Sequence, residues 1–314
     1  MEMQFFSEYA DKVVRNCSRV IVGKEKEIRL VLTAFLCSGH VLLEDIPGTG
    51  KTMLLRSFAK TVGGEFRRIQ FTPDLLPSDL TGIHYYDQKT GEFIFRKGPL
   101  FSQLVLADEI NRATPRTQSS LLEAMEERQI TVDGTTYPLE EPFFVMATQN
   151  PVESYGTFPL PEAQTDRFFL SLSLGYMDRD QEIEVLSRPD SIRLLEDLGQ
   201  AVTPEETARV KREYRQVRMA PPVQQYLMDI IEATRKDKRF TLGASTRGAL
   251  ALYKGAQLSA AFAGRDYVIP EDIKALVPPV LCHRLGSRSG RISDVRGQLA
   301  GLAETIPVPT ETLS

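Results

Sequence analysis

The stretch Val41-Leu42-Leu43-Glu44-Asp45-Ile46-Pro47-Gly48-Thr49-Gly50-Lys51-Thr52 decides how the chain is read. Its apolar start, 41–43, predicts a short buried strand. A Pro/Gly turn follows, and then Leu54, Leu55, Phe58, Ala59 and Val62 recur on one face of a helix. Strand, glycine turn and helix, with Gly-Lys-Thr opening the helix, is an arrangement that cradles phosphate. The glycines let backbone N–H groups turn inward onto the anion, and the helix N-terminus adds a favourable dipole. Lys51 is then expected to reach the β- and γ-phosphates of a nucleotide, and the Thr52 hydroxyl to bind Mg²⁺. There is one departure: Asp45 stands where the G-x-x-x-x-G-K-[ST] pattern has its first glycine. A fortuitous Gly-Lys-Thr in a surface turn is the alternative, and the strand–turn–helix context argues against it.

A second chemical stretch is Leu104-Val105-Leu106-Ala107-Asp108-Glu109. Four apolar residues predict a buried strand with two carboxylates at its C-terminal end, where ligands bind in open α/β sheets. Asp108 would hold Mg²⁺, usually through water, and Glu109 would orient and polarise the attacking water. Alone the pair could cap a turn; downstream of a phosphate loop it reads as chemistry. Residues 143–148 predict another buried strand, ending in Gln149-Asn150-Pro151. The Asn150 amide then lies level with the carboxylates and can hydrogen-bond the γ-phosphate or water, with an Asx turn before Pro151 as the alternative. Further strands are expected at 66–71 and 168–174, and helices at 3–19, 25–37, 117–128 and 179–188. Two hairpins interrupt this alternation, 84–96 around Lys89-Thr90-Gly91 and 130–139 around Asp133-Gly134. An inserted hairpin either carries partner contacts or covers a sheet edge.

A chain of 314 residues has room for two domains. From about residue 190 the strand patterns vanish, and helices are expected at 204–217, 222–236, 245–263 and 270–284. The fold class is therefore α/β, a helix–sheet–helix core with a parallel sheet over 1–190, followed by a smaller all-α domain over 191–314. Arg247 falls in the first turn of one late helix, Gly243-Ala244-Ser245-Thr246-Arg247. A cation there opposes the helix dipole, which points to an anion nearby unless the side chain is simply solvated. Arg284, Arg288, Arg291 and Arg296 lie among Gly and Ser and are expected to be mostly solvated. Net charge is −4, so no global field favours nucleic acid. Three scattered cysteines without a C-x-x-C suggest structural thiols in a reduced, cytoplasmic compartment, and the three histidines lack H-E-x-x-H spacing, so no zinc site is expected. The start of the chain lacks a signal-peptide pattern, and no apolar run approaches the ~20 residues that span a bilayer.

The order of these stretches is similar to that of an AAA+ ATPase, and their wording resembles the MoxR family, in the helix-2-insert clade. The likeness rests on 42–52, on Gln-Phe-Thr-Pro-Asp-Leu-Leu-Pro-Ser-Asp-Leu-Thr-Gly at 70–82 and on Gly-Pro-Leu-Phe at 98–101. It continues through Ala-Asp-Glu-Ile-Asn-Arg-Ala at 107–113, Gln-Ser-Ser-Leu-Leu-Glu-Ala-Met-Glu-Glu at 118–127, Ala-Thr-Gln-Asn-Pro at 147–151 and Leu-Pro-Glu-Ala-Gln-Thr-Asp-Arg-Phe at 160–168. It covers roughly residues 20–285.

The resemblance implies roles that spacing alone does not show. Asn150 resembles the sensor-1 residue. Arg167, which by itself reads as a surface ion-pair partner, resembles an arginine finger acting on ATP bound by the neighbouring subunit. Arg247 resembles sensor 2, reporting the γ-phosphate to the lid. Val22-Gly23, otherwise a turn between helices, matches the segment lining the adenine pocket. With Pro47, Gly48, Thr49, Gly50, Lys51, Thr52 and Met53, these complete the expected ATP- and ADP-contacting set. Asp45 ceases to be an anomaly, because the family commonly accepts a non-glycine there. Thr165 and Thr246 sit where other members often carry Leu and Pro, and neither is expected to touch the chemistry. The hairpins match the helix-2 insert and the pre-sensor-1 hairpin, projecting toward a ring axis or a client.

The implied activity is Mg²⁺-dependent ATP hydrolysis in a hexameric ring. By family analogy it serves chaperone-like maturation of a client protein, often with a partner carrying a von Willebrand factor A domain. Two other classes share such a core. One is a nucleic-acid motor, which needs basic hairpins; 84–96 carries only Lys89 and Arg96, and 129–139 carries neither Lys nor Arg. The other is the motor subunit of a metal chelatase.

Overall fold

Apolar runs become parallel strands and amphipathic runs become the helices that cover them. The computed structural model describes residues 2–45, 48–150, 156–188, 191–287 and 292–309. Helices α1 (Met3–Ser18) and α2 (Glu25–Leu36) precede β1 (Val41–Glu44), and α3 (Lys51–Val62) leads to β2 (Phe66–Gln70). A short α4 (Pro77–Thr81) introduces the hairpin β3 (Gly82–Asp87) and β4 (Glu92–Lys97). Then come β5 (Leu104–Asp108), α5 (Pro115–Glu127) and the hairpin β6 (Gln129–Val132) and β7 (Thr135–Pro138). Strand β8 (Phe144–Gln149), α6 (Glu162–Thr165) and β9 (Leu170–Leu172) complete the sheet-bearing part.

The five-stranded sheet has the order β2-β5-β8-β1-β9, with every pair parallel. Its pleat sorts side chains to two faces. Val41, Leu43, Leu104, Leu106, Phe144 and Met146 join the apolar cluster on the side of α1, α2 and α3. Leu42, Val105, Ala107, Val145 and Ala147 join the cluster on the side of α5. Burial on both faces is why these strands read as unbroken apolar runs. Strand β9 is shorter than the expected 168–174 because backbone groups at both ends are diverted. The Phe168 carbonyl accepts from His283 and Arg284, and the Leu174 N–H donates to Asp45.

The second half folds as α7 (Arg179–Ser187), α8 (Ser191–Glu196), α9 (Pro204–Glu213), α10 (Pro221–Lys236), α11 (Thr246–Phe262), α12 (Pro270–Leu281) and α13 (Ile292–Thr305). The expected helices are present. A short antiparallel ladder of β10 (Phe240–Leu242) and β11 (Gly286–Ser287) is added to them. One apolar cluster runs from the sheet through Phe169 into Leu252, Ile273, Leu276 and Leu281 of the lid, so lid and sheet share a core.

The arginine-bearing tail departs from expectation. Arg284 is 4% exposed and donates to the carbonyls of Val280, Asp166, Phe168 and Phe169. Arg296, on α13, reaches the Ser171 carbonyl. Clustered composition suggested solvation, but carbonyls supplied by the distant 166–169 segment hold Arg284 in a buried place, and Arg296 is half-buried. Arg288 and Arg291 lie outside the described residues.

Neither hairpin hydrogen-bonds to the five-stranded sheet. They pack on each other instead. Phe95 stacks on Tyr137 with ring centroids 4.4 Å apart, and His84 Nδ1 lies 2.8 Å from Asp133 Oδ2. Beyond this contact Tyr86 and Phe93 form an aromatic pair at the exposed end of β3–β4. Among the described residues no helix is long and apolar enough to cross a membrane.

Candidate active site

Strand β1 ends at Glu44 and α3 begins at Lys51, so the phosphate-loop residues leave the carboxyl edge of the sheet and re-enter as a helix. Ile46 and Pro47 lie outside the described residues. Gly48 and Gly50 have φ of +85° and +87°, a left-handed backbone that glycine adopts without strain, and Gly50 caps α3. Lys51 Nζ donates to the Asp45 carbonyl at 3.1 Å. Thr49 sits between the glycines, and Thr52 and Met53 lie in the first turn of α3. The Asp45 side chain is 4% exposed, and its Oδ2 accepts from the N–H groups of Leu174 at 2.5 Å and Gly175 at 3.2 Å. The departure from the glycine pattern therefore has a structural use.

Asp108 and Glu109 leave the same edge two strands away. Register puts Gln70, Asp108 and Thr148 side by side on β2, β5 and β8. Asp108 Oδ1 accepts from the Thr148 hydroxyl at 2.8 Å, and Oδ2 pairs with Arg68 at 2.6 Å. Glu109 follows with φ +57° and ψ +50°, an uncommon conformation for a residue other than glycine, and its N–H donates to Thr148 Oγ1 at 2.8 Å. Glu109 Oε2 accepts from Gln70 Nε2 at 2.8 Å and lies 3.1 Å from Arg112 Nε. Asn150, 7% exposed, directly follows β8 on this edge. Lys51, Asp108, Glu109 and Asn150 are thus gathered where their sequence contexts placed them. Gln70, Thr148, Arg68 and Arg112 escaped the sequence reading. Gln70 and Thr148 were within its reach, because aligning strand ends as parallel neighbours sets both beside Asp108.

The donor set suits a hard divalent cation: Asp108 brings an anionic oxygen, and Thr52 a hydroxyl from the turn after β1. Val22 and Gly23 form the turn between α1 and α2, and Val22 is 5% exposed. A Cβ on Gly23 would meet the Gln181 side chain of α7 at 2.2 Å, so α7 closes on this turn.

Arg167 and Arg247 are elsewhere. Both pair with Glu126, near the end of α5, Arg167 Nε at 3.2 Å from Oε2 and Arg247 through Oε1. The neighbouring Met125 carbonyl bonds His40 Nε2, and the His40 carbonyl accepts from Phe169 N–H, just before β1 and β9 begin. Glu126 and its arginines therefore sit at the amino edge of the sheet. The four residues of β1 separate that edge from the phosphate loop by roughly 13 Å. The anion beside Arg247 within this chain is Glu126, at the edge opposite the phosphate loop. The lid is bolted down here too. Asp166 Oδ1 accepts from Ser245 Oγ and Arg284 Nη1, each at 2.7 Å, and Thr165 Oγ1 donates to the His283 carbonyl at 2.9 Å. Thr165, expected not to touch the chemistry, helps to dock the lid.

Sheet order, glycine-turned phosphate loop, paired carboxylates and helical lid together define a P-loop ATPase of the AAA+ class. Residues 40–170 match the model of the ATPase family associated with various cellular activities (AAA), and residues 232–298 match the AAA lid domain. The chain is 52% identical over 274 residues to the uncharacterized protein YeaC of Bacillus subtilis (strain 168), covering 87% of this chain and 86% of that one. It is 39% identical over 288 residues to the chaperone MoxR1 of Mycobacterium tuberculosis, covering 88% and 75%. The crystal structure of a candidate ATPase from Cytophaga hutchinsonii superposes with a TM-score of 0.89 at 37% identity, covering 98% of this chain and 97% of that one. The chain belongs to the MoxR family of AAA+ ATPases.

Proposed function

We propose that the chain hydrolyses ATP with Mg²⁺ in a ring, hexameric by family resemblance, with each active site completed by a neighbouring copy. The observation that carries this reading is the division of charged groups between opposite edges of one sheet. Lys51, Asp108, Glu109 and Asn150 lie at the carboxyl edge, and Arg167 and Arg247 pair with Glu126 at the amino edge. One chain cannot turn both sets onto one phosphate, but two chains packed edge to edge can.

In this reading Lys51 and the 48–53 backbone hold the phosphates, and Val22 and Gly23 line the base. Asp108 and Thr52 would hold Mg²⁺, which would supply charge neutralisation on the phosphates. Glu109 orients and polarises the attacking water, and Asn150 holds that water or the γ-phosphate. Gln70 and Arg112 hold the Glu109 carboxylate until the water arrives. Arg167 offsets charge on the neighbour's transferring phosphate, and Arg247 senses that same phosphate. Turnover by Glu109→Gln is the test: ATP is expected to bind with hydrolysis lost, and normal hydrolysis by this variant would overturn the assignment.

The work done with ATP is the remodelling of a client protein, as the name of the mycobacterial relative suggests, with a von Willebrand factor A domain protein as partner. The exposed aromatics Tyr85, Tyr86 and Phe93 on β3–β4 favour an apolar peptide over nucleic acid, which calls for basic residues there. A salt-dependent stimulation of the ATPase by DNA would reverse that preference.

A further inference from the structure

Asp45 is joined to three separate parts of the fold. Its N–H donates to the Gln149 carbonyl, extending the β1–β8 ladder by one bond, and its carbonyl accepts from Lys51 Nζ. Its buried carboxylate takes the N–H groups of Leu174 and Gly175. Lys24, 7% exposed, grips the same short segment from its carbonyls, with Nζ 2.5 Å from Leu174 O and 3.3 Å from Tyr176 O. One buried anion and one buried cation therefore clamp residues 174–176 by opposite ends of their peptide dipoles.

The clamp has a direction. Lys24 directly follows Gly23, and the clamped segment leads into α7, whose Gln181 packs against Gly23. Asp178 and Gln181 cap α7 reciprocally, Gln181 N–H to Asp178 Oδ1 at 2.9 Å and Asp178 N–H to Gln181 Oε1 at 3.1 Å, so the start of the helix is fixed once 174–176 is fixed. A continuous chain of contacts thus runs from the phosphate loop through Asp45, 174–176 and Gln181 to the Val22–Gly23 turn. A glycine at position 45 would leave the buried N–H of Leu174 and the half-buried N–H of Gly175 without this acceptor.

We propose that Asp45, with Lys24 as its counterpart, is a positioning residue that sets the distance between the phosphate loop and the wall receiving the nucleotide's base. The proposal rests on the nucleotide-binding reading above and deepens it. Asp45 touches neither base nor phosphate through its side chain. It makes the two ends of the nucleotide site one rigid unit, so binding energy from the base depends on it.

The test is equilibrium binding of fluorescent mant-ADP and of inorganic tripolyphosphate, which has no base, to full-length variants whose fold is checked by circular dichroism. Asp45→Ala is expected to weaken mant-ADP by about ten-fold or more, because one buried and one half-buried donor lose their acceptor. Tripolyphosphate affinity is expected to change by less than about three-fold, since the loop glycines and Lys51 remain. Asp45→Asn keeps an acceptor oxygen and should recover most of the loss. Lys24→Met should mimic Asp45→Ala, and the double variant should be little worse than either. Unchanged mant-ADP affinity in Asp45→Ala, or an equal loss of tripolyphosphate, would overturn the clamp. Should Asp45→Ala fail to fold, Lys24→Met decides, and full mant-ADP affinity there would overturn it. An unaltered chain that binds no mant-ADP would instead overturn the nucleotide reading itself.

Discussion

Arg167 Nε lies 3.2 Å from Glu126 Oε2, and the other oxygen of that carboxylate holds Arg247. Two cations proposed to act on the neighbour's ATP thus share one anion within their own chain. Arg167 and Glu126 are each about one-third exposed, and Arg247 about half. A pair so open to water is worth roughly 0.2–1 kcal/mol. Glu126→Gln therefore releases both arginines at little cost, and ATPase of the assembled ring is expected to rise, by no more than about five-fold. A fall to the level of Arg167→Ala would show instead that Glu126 holds the arginines in their working position.

Placing both arginines on the far edge makes complementation specific. Arg167→Ala and Arg247→Ala subunits keep Lys51, and Lys51→Ala subunits keep both arginines. An arginine finger contributes about 10³–10⁵ in rate, so Arg167→Ala alone should be nearly silent. In an equal mixture with Lys51→Ala, about a quarter of the interfaces regain both groups, and activity should return to about that fraction. Arg247→Ala mixed with Lys51→Ala should recover in the same way. Recovery for Arg167 without recovery for Arg247 would return Arg247 to its own chain's phosphate.

How much of this was legible in the sequence depended on the distance between partners. Residues 41–43, 104–107 and 143–148 read correctly as strands because burial on both faces leaves an unbroken apolar run. Lys51, Asp108, Glu109 and Asn150 could be placed on one sheet edge because each closes such a run or opens the helix after it. Gln70 and Thr148 lay in plain view but acquire a role only when strands are set in register. Asp45 looked like a fault in a motif because its partners are 129 and 130 residues downstream. Arg247 betrayed an anion through its position at a helix start, but nothing local could name Glu126, 121 residues away. Arg284 misled most. A stretch rich in Arg, Gly and Ser reads as solvated, and only folding brings the Asp166 carboxylate and three further carbonyls around it.

Arg284 should accordingly be costly to remove. Arg284→Met leaves the Asp166 carboxylate with Ser245 and the Phe168 carbonyl with His283, and it takes the guanidinium donor from the carbonyls of Asp166, Phe169 and Val280. Breaking a buried, hydrogen-bonded charge pair from one side costs roughly 3–5 kcal/mol. Urea unfolding should report that loss, with the lid and the 166–169 segment loosening together in hydrogen exchange. A change below about 1 kcal/mol would mean that water replaces the guanidinium and that the lid is not bolted through it.

Acid should unfold the protein through two buried histidines. His40 accepts from Val145 N–H at Nδ1 and bonds the Met125 carbonyl through Nε2, an arrangement that suits the neutral ring. Burial, reinforced by the nearby Arg128 charge, pushes its pKa down to about 3. His283, fully enclosed beside Arg284, is likewise lowered well below the usual histidine value, chiefly by burial. In the unfolded chain both titrate near 6.5. Below that pH the unfolded chain takes up protons that the folded chain refuses. The stability these groups provide is therefore complete above about pH 6.5 and is lost progressively as pH falls toward their lowered folded values, about 3 for His40. His40 alone should lower the unfolding free energy by roughly 2 kcal/mol between pH 7.5 and pH 5, and His283 acts in the same direction. His40→Gln, less stable at every pH, should show a shallower dependence. A profile equally steep with and without His40 would assign the acid sensitivity to other groups.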